Sequence, residues 1–319
     1  MTDAALESDV YEDPERLRTL QFHGSHAPVN EVLRCLSQDC VVVITGVPKE
    51  QADMVVREVA DGLGLRERLE LQAAFAEVRG HRRNIGQYFM SVNDRDDFQF
   101  IVPHSEGSSF ADMQIAAFFC YENSTDGGET IFMNVDEASG CWEHVREQLS
   151  RAKVAGTTFR SHQISRARVL YHLDPSSDVL RSDDQVLAER QSVIPGLTLV
   201  DVLAKATKTY SRILDCERYV YWDTIAAIDF DSSHEYARLL RKWGLLREPI
   251  GGRNIRHMDH AAARNIWHSG VKYSDLFKSR ITRKLARGDL AILNNLSWTH
   301  SVANWSPASG TRKIAAAFA

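Results

Sequence analysis

Pro103-His104-Ser105-Glu106 opens the stretch whose reading decides the fold. It leads through Ile115-Ala116-Ala117-Phe118-Phe119-Cys120-Tyr121 and a tight turn to Gly127-Gly128-Glu129-Thr130. On an extended strand, side chains at i and i+2 point to one side, so His104 and Glu106 can share a cation. The apolar run 115–121 is bounded by polar turns, and its length and aromatic content favour a strand buried on both faces. Asn123 to Gly128 reads as a turn with two glycines free to take positive φ. Glu129 to Met133 then returns as partner strand, so 115–133 is expected to form a hairpin.

A counterpart lies near the C-terminus, where Asn294 and Asn295 lead through Trp298 to His300, with Arg312 twelve positions later. Two imidazoles and one carboxylate can occupy one face of a metal and leave the other open, the ligand set of non-haem Fe(II) oxygenases. His-x-Glu alone is weak evidence; the proline before it, the small-residue loop and expected buried hairpin after it, and a late histidine in a strand-and-turn strengthen it. A late β element folding back beside the first is what a jelly roll does. His257-Met258-Asp259-His260 has acceptable ligand spacing too, but it precedes Ala261-Ala262-Ala263, so Asp259 is better read as a helix cap.

Outward from these motifs, Pro28 to Leu36 reads as a helix and Val41-Val42-Val43-Ile44 as a short buried strand ended by Gly46 and Pro48. Val55, Val56, Val59 and Leu63 share one helical face. Residues 1–25 are expected to be a loosely structured extension. Asp136 is expected to cap a helix through Trp142, Val145 and Leu149, and about 170–285 to form a helical insert or lid within a single domain. That insert would hold helices from Thr198 through Ile213, from Ser232 or Ser233 to Gly244, and from Ala261 to His268. Strand character returns at Asp289–Leu293 and Lys313–Phe318.

The 319 residues suffice for a sizeable core. A formal net charge of −5 gives no support to nucleic-acid or anionic-membrane binding. The polar, acidic start is the reverse of a signal peptide, and no apolar run approaches the roughly 20 residues that cross a bilayer. Five scattered cysteines without a Cys-x-x-Cys pair suit reduced thiols, and a cytoplasmic location is expected.

Together, His104-x-Glu106, Gly127-Gly128-Glu129-Thr130, the Gly288-Asp289-Leu290 strand, His300 and Arg312 resemble the taurine dioxygenase/clavaminate synthase-like family of Fe(II)- and 2-oxoglutarate-dependent oxygenases. The match covers roughly 40–135 and 285–318. It implies a mainly β, α+β fold: a double-stranded β-helix (jelly roll) with flanking helices. It also implies iron held by His104, Glu106 and His300, with Thr130 and Arg312 binding the far carboxylate of 2-oxoglutarate. A guanidinium offers a planar fork to a carboxylate, and a hydroxyl adds a third hydrogen bond. Dioxygen would be the oxidant, with succinate and CO2 released on hydroxylation, desaturation or cyclisation. Glu where many members carry Asp is typical of the clavaminate synthase-like branch, and a retained carboxylate argues against the related halogenases.

The expected partner is a small molecule, with homo-oligomerisation left open. Gln87, Tyr88, Phe89 and Gln99, with Arg160 and His162, are candidates for its pocket, and the cations suit a carboxylate-bearing substrate such as an amino acid or a specialised-metabolite intermediate. Asn294, Asn295 and Trp298 are expected to orient His300 through amide or NH groups. The competing readings are a jelly-roll binding protein with a structural metal, and a hydrolytic zinc site.

Overall fold

A computed structural model describes residues 10–24, 27–79, 83–92, 98–107, 112–156, 158–222, 230–248 and 270–319. Its centre is two sheets facing each other. The first holds, in spatial order, β2 (Leu17–Gln21), β3 (Val41–Thr45), β14 (Leu290–Asn294), β6 (Ile115–Asn123), β16 (Arg312–Phe318) and β4 (Met90–Ser91). The second holds β1 (Tyr11–Glu12), β13 (Phe277–Arg283), β7 (Thr130–Val135), β15 (Trp298–Val302) and β5 (Ile101–His104).

Why the first sheet's strands read as unbroken apolar runs follows from what covers them. Val42, Ile44, Ala117, Phe119 and Ile292 pack outward on α1 (Val29–Ser37) and α2 (Ala52–Gly62) through Val32, Leu36, Val55 and Val59. Alternate residues Val41, Val43, Ala116, Phe118, Ala291 and Leu293 pack inward against Phe132, Ile281 and Trp298 of the second sheet. With successive side chains on opposite faces, a strand buried on both sides leaves no room for polar alternation. α3 (Arg66–Arg79) follows α2, and Gly64 takes a positive φ of 67° between them.

Four expectations are corrected. Residues 115–133 are not a hairpin: β6 pairs with β14 and β16, whereas β7 pairs with β13 and β15, so the turn at 124–129 carries the chain from one sheet to the other. Thr198 begins no helix. Leu197–Lys205 is β10, between β8 (Arg146–Val154) and β9 (Gln185–Gln191) in a separate three-stranded sheet. Leu197 and Leu199 face one cluster there and Val200, Val202 and Ala204 another, so burial on both faces mimics helical spacing. β11 (Lys208–Ser211) and β12 (Cys216–Tyr219) follow as a two-stranded hairpin, so the described part of the chain's middle is more strand than helix. Asp136 caps only a turn, accepting from Ala138 N at 3.1 Å, before a short 3-10 segment and β8. Finally, Tyr11–Gln21 is no loose extension, since β2 runs parallel to β3 and β1 parallel to β13.

The α4 helix (Ser161–Tyr171) covers the three-stranded sheet through Ala167. α5 (Phe230–Lys242) matches the helix expected before Gly244, which takes a φ of 72°. The expected helix 261–268 and the His257–His260 motif lie outside the described residues. Among the described residues, no helix is long and apolar enough to cross a membrane.

α5 is tied to α6 (Tyr273–Leu276) by a carboxylate whose titration tests the packing. Tyr273 N donates to both Glu235 oxygens, at 3.0 and 3.1 Å. Burial pushes the Glu235 carboxyl up to about 7 from an ordinary 4.5, against the opposing pull of that N–H and of Arg238 and Lys272. Between those values the folded chain holds the proton longer than the unfolded one, so stability falls as pH rises through the window. Glu235→Gln should match the parent's stability near pH 4.5 and exceed it at pH 8 by on the order of 2–3 kcal/mol. Urea unfolding across that range checks this; parallel pH profiles for the two proteins would contradict it.

Candidate metal centre

In the second sheet β15 lies between β5 and β7, and His300 is the direct cross-strand partner of His104. Directly opposed residues on neighbouring strands hold their side chains side by side. The imidazole centroids are accordingly 4.3 Å apart, inclined at 53°. Glu106 follows where β5 ends, and its Oε1 lies 3.9 Å from His104 Nε2. One donor atom from each of His104, Glu106 and His300 lies within 4.8 Å of the others. Among the described residues, this is the one such cluster of His, Cys, Asp or Glu. His300 is buried, while His104 and Glu106 remain partly exposed, so the cluster has one open side.

The donor set fits a cation. His104 Nδ1 is 2.9 Å from the Val102 carbonyl, which can only accept, so that nitrogen carries a proton and Nε2 is the one turned toward Glu106. With Nε2 unprotonated, its lone pair and the Glu106 carboxylate repel unless a positive charge stands between them. Phe118, 4.6 Å from His300 ring to ring, and Phe318, at 6.5 Å, form the apolar wall behind the imidazole.

A second element stands two residues along β15 from His300. Val302 pairs with Thr130, and Arg312 Nη2 approaches Thr130 Oγ1 at 3.4 Å while its Nε donates to Gly128 O at 3.2 Å. Burial is the main influence on Arg312, pulling its pKa down to about 10, with Cys120 and Glu129 opposing; the guanidinium remains charged at neutral pH. Among the described residues, no carboxylate lies within ion-pair distance of it. A desolvated cation beside a hydroxyl, with no carboxylate in ion-pair reach among the described residues, is a site for an anion. The two glycines make room for it. A Cβ on Gly128, whose φ is 72°, would sit 2.9 Å from Arg312 Cδ, and one on Gly127 would sit 2.1 Å from the Asn304 carbonyl. The indole of Trp305 lies 5.9 Å from the guanidinium carbon.

The supporting residues differ from expectation. Trp298 Nε1 donates to the Asp39 carbonyl at 3.1 Å, and Asn294 Nδ2 to Ser211 and Ser297 hydroxyls at 3.1 Å each. Asn295 bonds not to His300 but to the backbone of Glu106. None of the three therefore reaches His300 in the way expected.

Of the expected substrate residues, Gln99 stands two positions ahead of β5 in the chain. Tyr88 and Phe89 belong to the cluster on the outer face of the first sheet, with Gln87 N and Tyr88 N bonded to Asp53 at 2.9 and 2.8 Å. Arg160 and His162 are exposed at the start of α4, on the peripheral three-stranded sheet. The triad forms on the inner face of the second sheet, against Phe118 of the first, whereas Tyr88 and Phe89 pack on the first sheet's opposite face.

Asn304 and Arg247 carry no motif in the sequence. The Asn304 amide donates to the Phe98 and Arg247 carbonyls and accepts from Arg247 N, all between 2.8 and 2.9 Å. Arg247 in turn reaches Glu129 at 3.2 Å and the Asp126 carbonyl. This joins the segment after α5 to the glycine turn. The only sequence signal was the position of Asn304 four residues past His300.

No family model matches the chain, and no curated protein matches it. Among solved structures, it is similar to AAD-2 in complex with Mn(II) and N-oxalylglycine, at 12% identity over 97% of this chain and 96% of that one, TM-score 0.40. It is also similar to the PvcB protein from Pseudomonas aeruginosa, at 11% identity over 100% and 94%, TM-score 0.43. A further structure of PvcB, described as an Fe, alpha-ketoglutarate dependent oxygenase from an isonitrile synthetic pathway, matches at 9% identity over 97% and 89%, TM-score 0.39.

Proposed function

We propose that this chain is an Fe(II)- and 2-oxoglutarate-dependent dioxygenase of the taurine dioxygenase/clavaminate synthase-like type, its two facing sheets forming a double-stranded β-helix. The observation that carries this reading is the convergence of His104, Glu106 and His300 on one point, with the Arg312–Thr130 pair two residues away along the same strands. A structural metal is usually enclosed by four protein donors. The cluster here offers three among the described residues and keeps an open side, which favours a reactive centre.

His104, Glu106 and His300 would hold the iron. With 2-oxoglutarate bound, the iron supplies O2-dependent oxidation of a substrate C–H bond, one oxygen atom entering the product and the other succinate, as CO2 leaves. The chain's own task is orientation and exclusion of water. The Val102 carbonyl fixes the His104 tautomer, so that Nε2 is the ligating nitrogen. Arg312 and Thr130 grip the distal carboxylate of 2-oxoglutarate and set its direction toward the triad. Phe118 and Phe318 keep the far side of His300 dry. The substrate is a small molecule approaching the open side beside His104 and Glu106, and carboxylate-bearing compounds such as amino acids are the first class to screen.

Anaerobic addition of Fe(II) and 2-oxoglutarate should produce a weak visible metal-to-ligand band. Iron bound without that band would argue for a different chemistry.

A further inference from the structure

Glu106 is the one triad member that no ladder holds. His104 ends β5 and His300 lies within β15, but Glu106 sits in a bend just past the strand. Were β5 to continue antiparallel to β15, Glu106 would pair opposite Trp298; instead the pairing of the two strands ends at His104, and Ser105 N turns away to donate to the Tyr221 carbonyl at 2.7 Å. The position of a ligating carboxylate would then rest on a loop, unless something replaces the missing ladder.

We propose that Asn295 is that replacement, a positioning residue whose side-chain amide stands in for a peptide group and sets Glu106 against His300. Its Oδ1 accepts from Glu106 N at 3.1 Å, and its Nδ2 donates to Glu106 O at 2.9 Å. This is the two-bond exchange that a residue makes with its partner in an antiparallel ladder. The second Nδ2 hydrogen donates to Met113 O at 2.8 Å, so one amide holds both Glu106 and Met113. Asn295 is fully buried, and its own backbone N donates to Gln114 O at 2.9 Å, so the amide has one orientation available.

Asn295 lies in the turn between β14 and β15, five residues before His300. That one turn therefore fixes a ligand directly, through β15, and a second ligand indirectly, through the amide. Any shift of β15 carries both with it, which keeps the carboxylate and the imidazole in register. Outer residues that orient ligands typically contribute about 10–100-fold to metal affinity. This inference rests on the metal reading above and assigns a role to a residue outside the triad.

The test is Asn295→Asp, which keeps the side chain's size but turns a donor toward the Glu106 and Met113 carbonyls into an acceptor. Co(II) affinity, followed by its visible absorption, should fall about 10–100-fold, while near-UV circular dichroism of the metal-free protein stays that of the parent. The Glu106 amide should exchange slowly in the parent, where Asn295 Oδ1 accepts from it. A folded variant binding Co(II) within about threefold of the parent would overturn the proposal, as would fast exchange of Glu106 in the parent. Should the variant not fold, the parent's exchange rate decides alone. Failure of the parent to bind Co(II) would instead overturn the metal reading itself, a separate result from fast exchange at Glu106.

Discussion

His300→Ala should abolish 2-oxoglutarate turnover and lower metal affinity by more than the roughly 10–100-fold expected of outer residues, since it removes a donor. The effect is predicted to be the largest of any single substitution in β15 for a geometric reason. His300 is the buried member of the cluster, paired to His104 on one side and Phe132 on the other, so no neighbouring strand can shift to supply another donor. Loss of the ring also uncovers Phe118, at a cost of about 1–3 kcal/mol in stability. Metal titration separates the two effects: a folded variant that still binds Co(II) like the parent would remove His300 from the ligand set. His104→Ala and Glu106→Ala should likewise abolish turnover, with smaller losses of stability because both side chains are partly exposed.

Arg312→Leu is expected to raise KM for 2-oxoglutarate while leaving metal affinity unchanged. Removing one partner of a hydrogen-bonded charge pair costs ~2–5 kcal/mol, roughly thirtyfold to several thousandfold in binding. Arg312→Lys should fall between, because an ammonium keeps the charge but not the planar fork. Arg312→Leu also removes the buried charge whose desolvation pulls the arginine's pKa down to about 10, so that metal-free variant should be no less stable than the parent. Steady-state kinetics at saturating iron checks the first claim, and an unchanged KM would mean that the carboxylate binds elsewhere.

The grouping of His104, Glu106 and His300 was legible because its chemistry is carried by residue type: two imidazoles and a carboxylate in two β segments suggest a cation site before any contact is known. Thr130 and Arg312 were named through the family resemblance alone, and the structure brings the two within 3.4 Å of each other. Strand pairing was not. The turn at 124–129 has the residues of a hairpin, but local sequence cannot say whether the next strand returns beside β6 or crosses to another sheet. Here burial of β6 on both faces and its pairing with β14 and β16 leave no edge for β7. Leu199, Val202 and Leu203 show the same limit, since apolar residues facing two clusters across a strand imitate one helical face.

Outer contacts were the least legible. Trp298, Asn294 and Asn295 were expected to orient His300, yet the direction of each polar group is set by partners distant in sequence, such as Asp39, Ser211 and Glu106. Tyr88 reads as a pocket aromatic from its position before the motif. Only the pairing of β16 with β4 shows that this segment approaches the outer, helix-covered face of the first sheet.

The most direct test of the account is anomalous diffraction from crystals grown anaerobically with Mn(II) and 2-oxoglutarate. The account predicts one metal peak within about 2.0–2.3 Å of His104 Nε2, a Glu106 oxygen and a His300 ring nitrogen, with the distal carboxylate of 2-oxoglutarate on Arg312 and Thr130. A metal held by four protein donors, or a peak away from these three side chains, would contradict it.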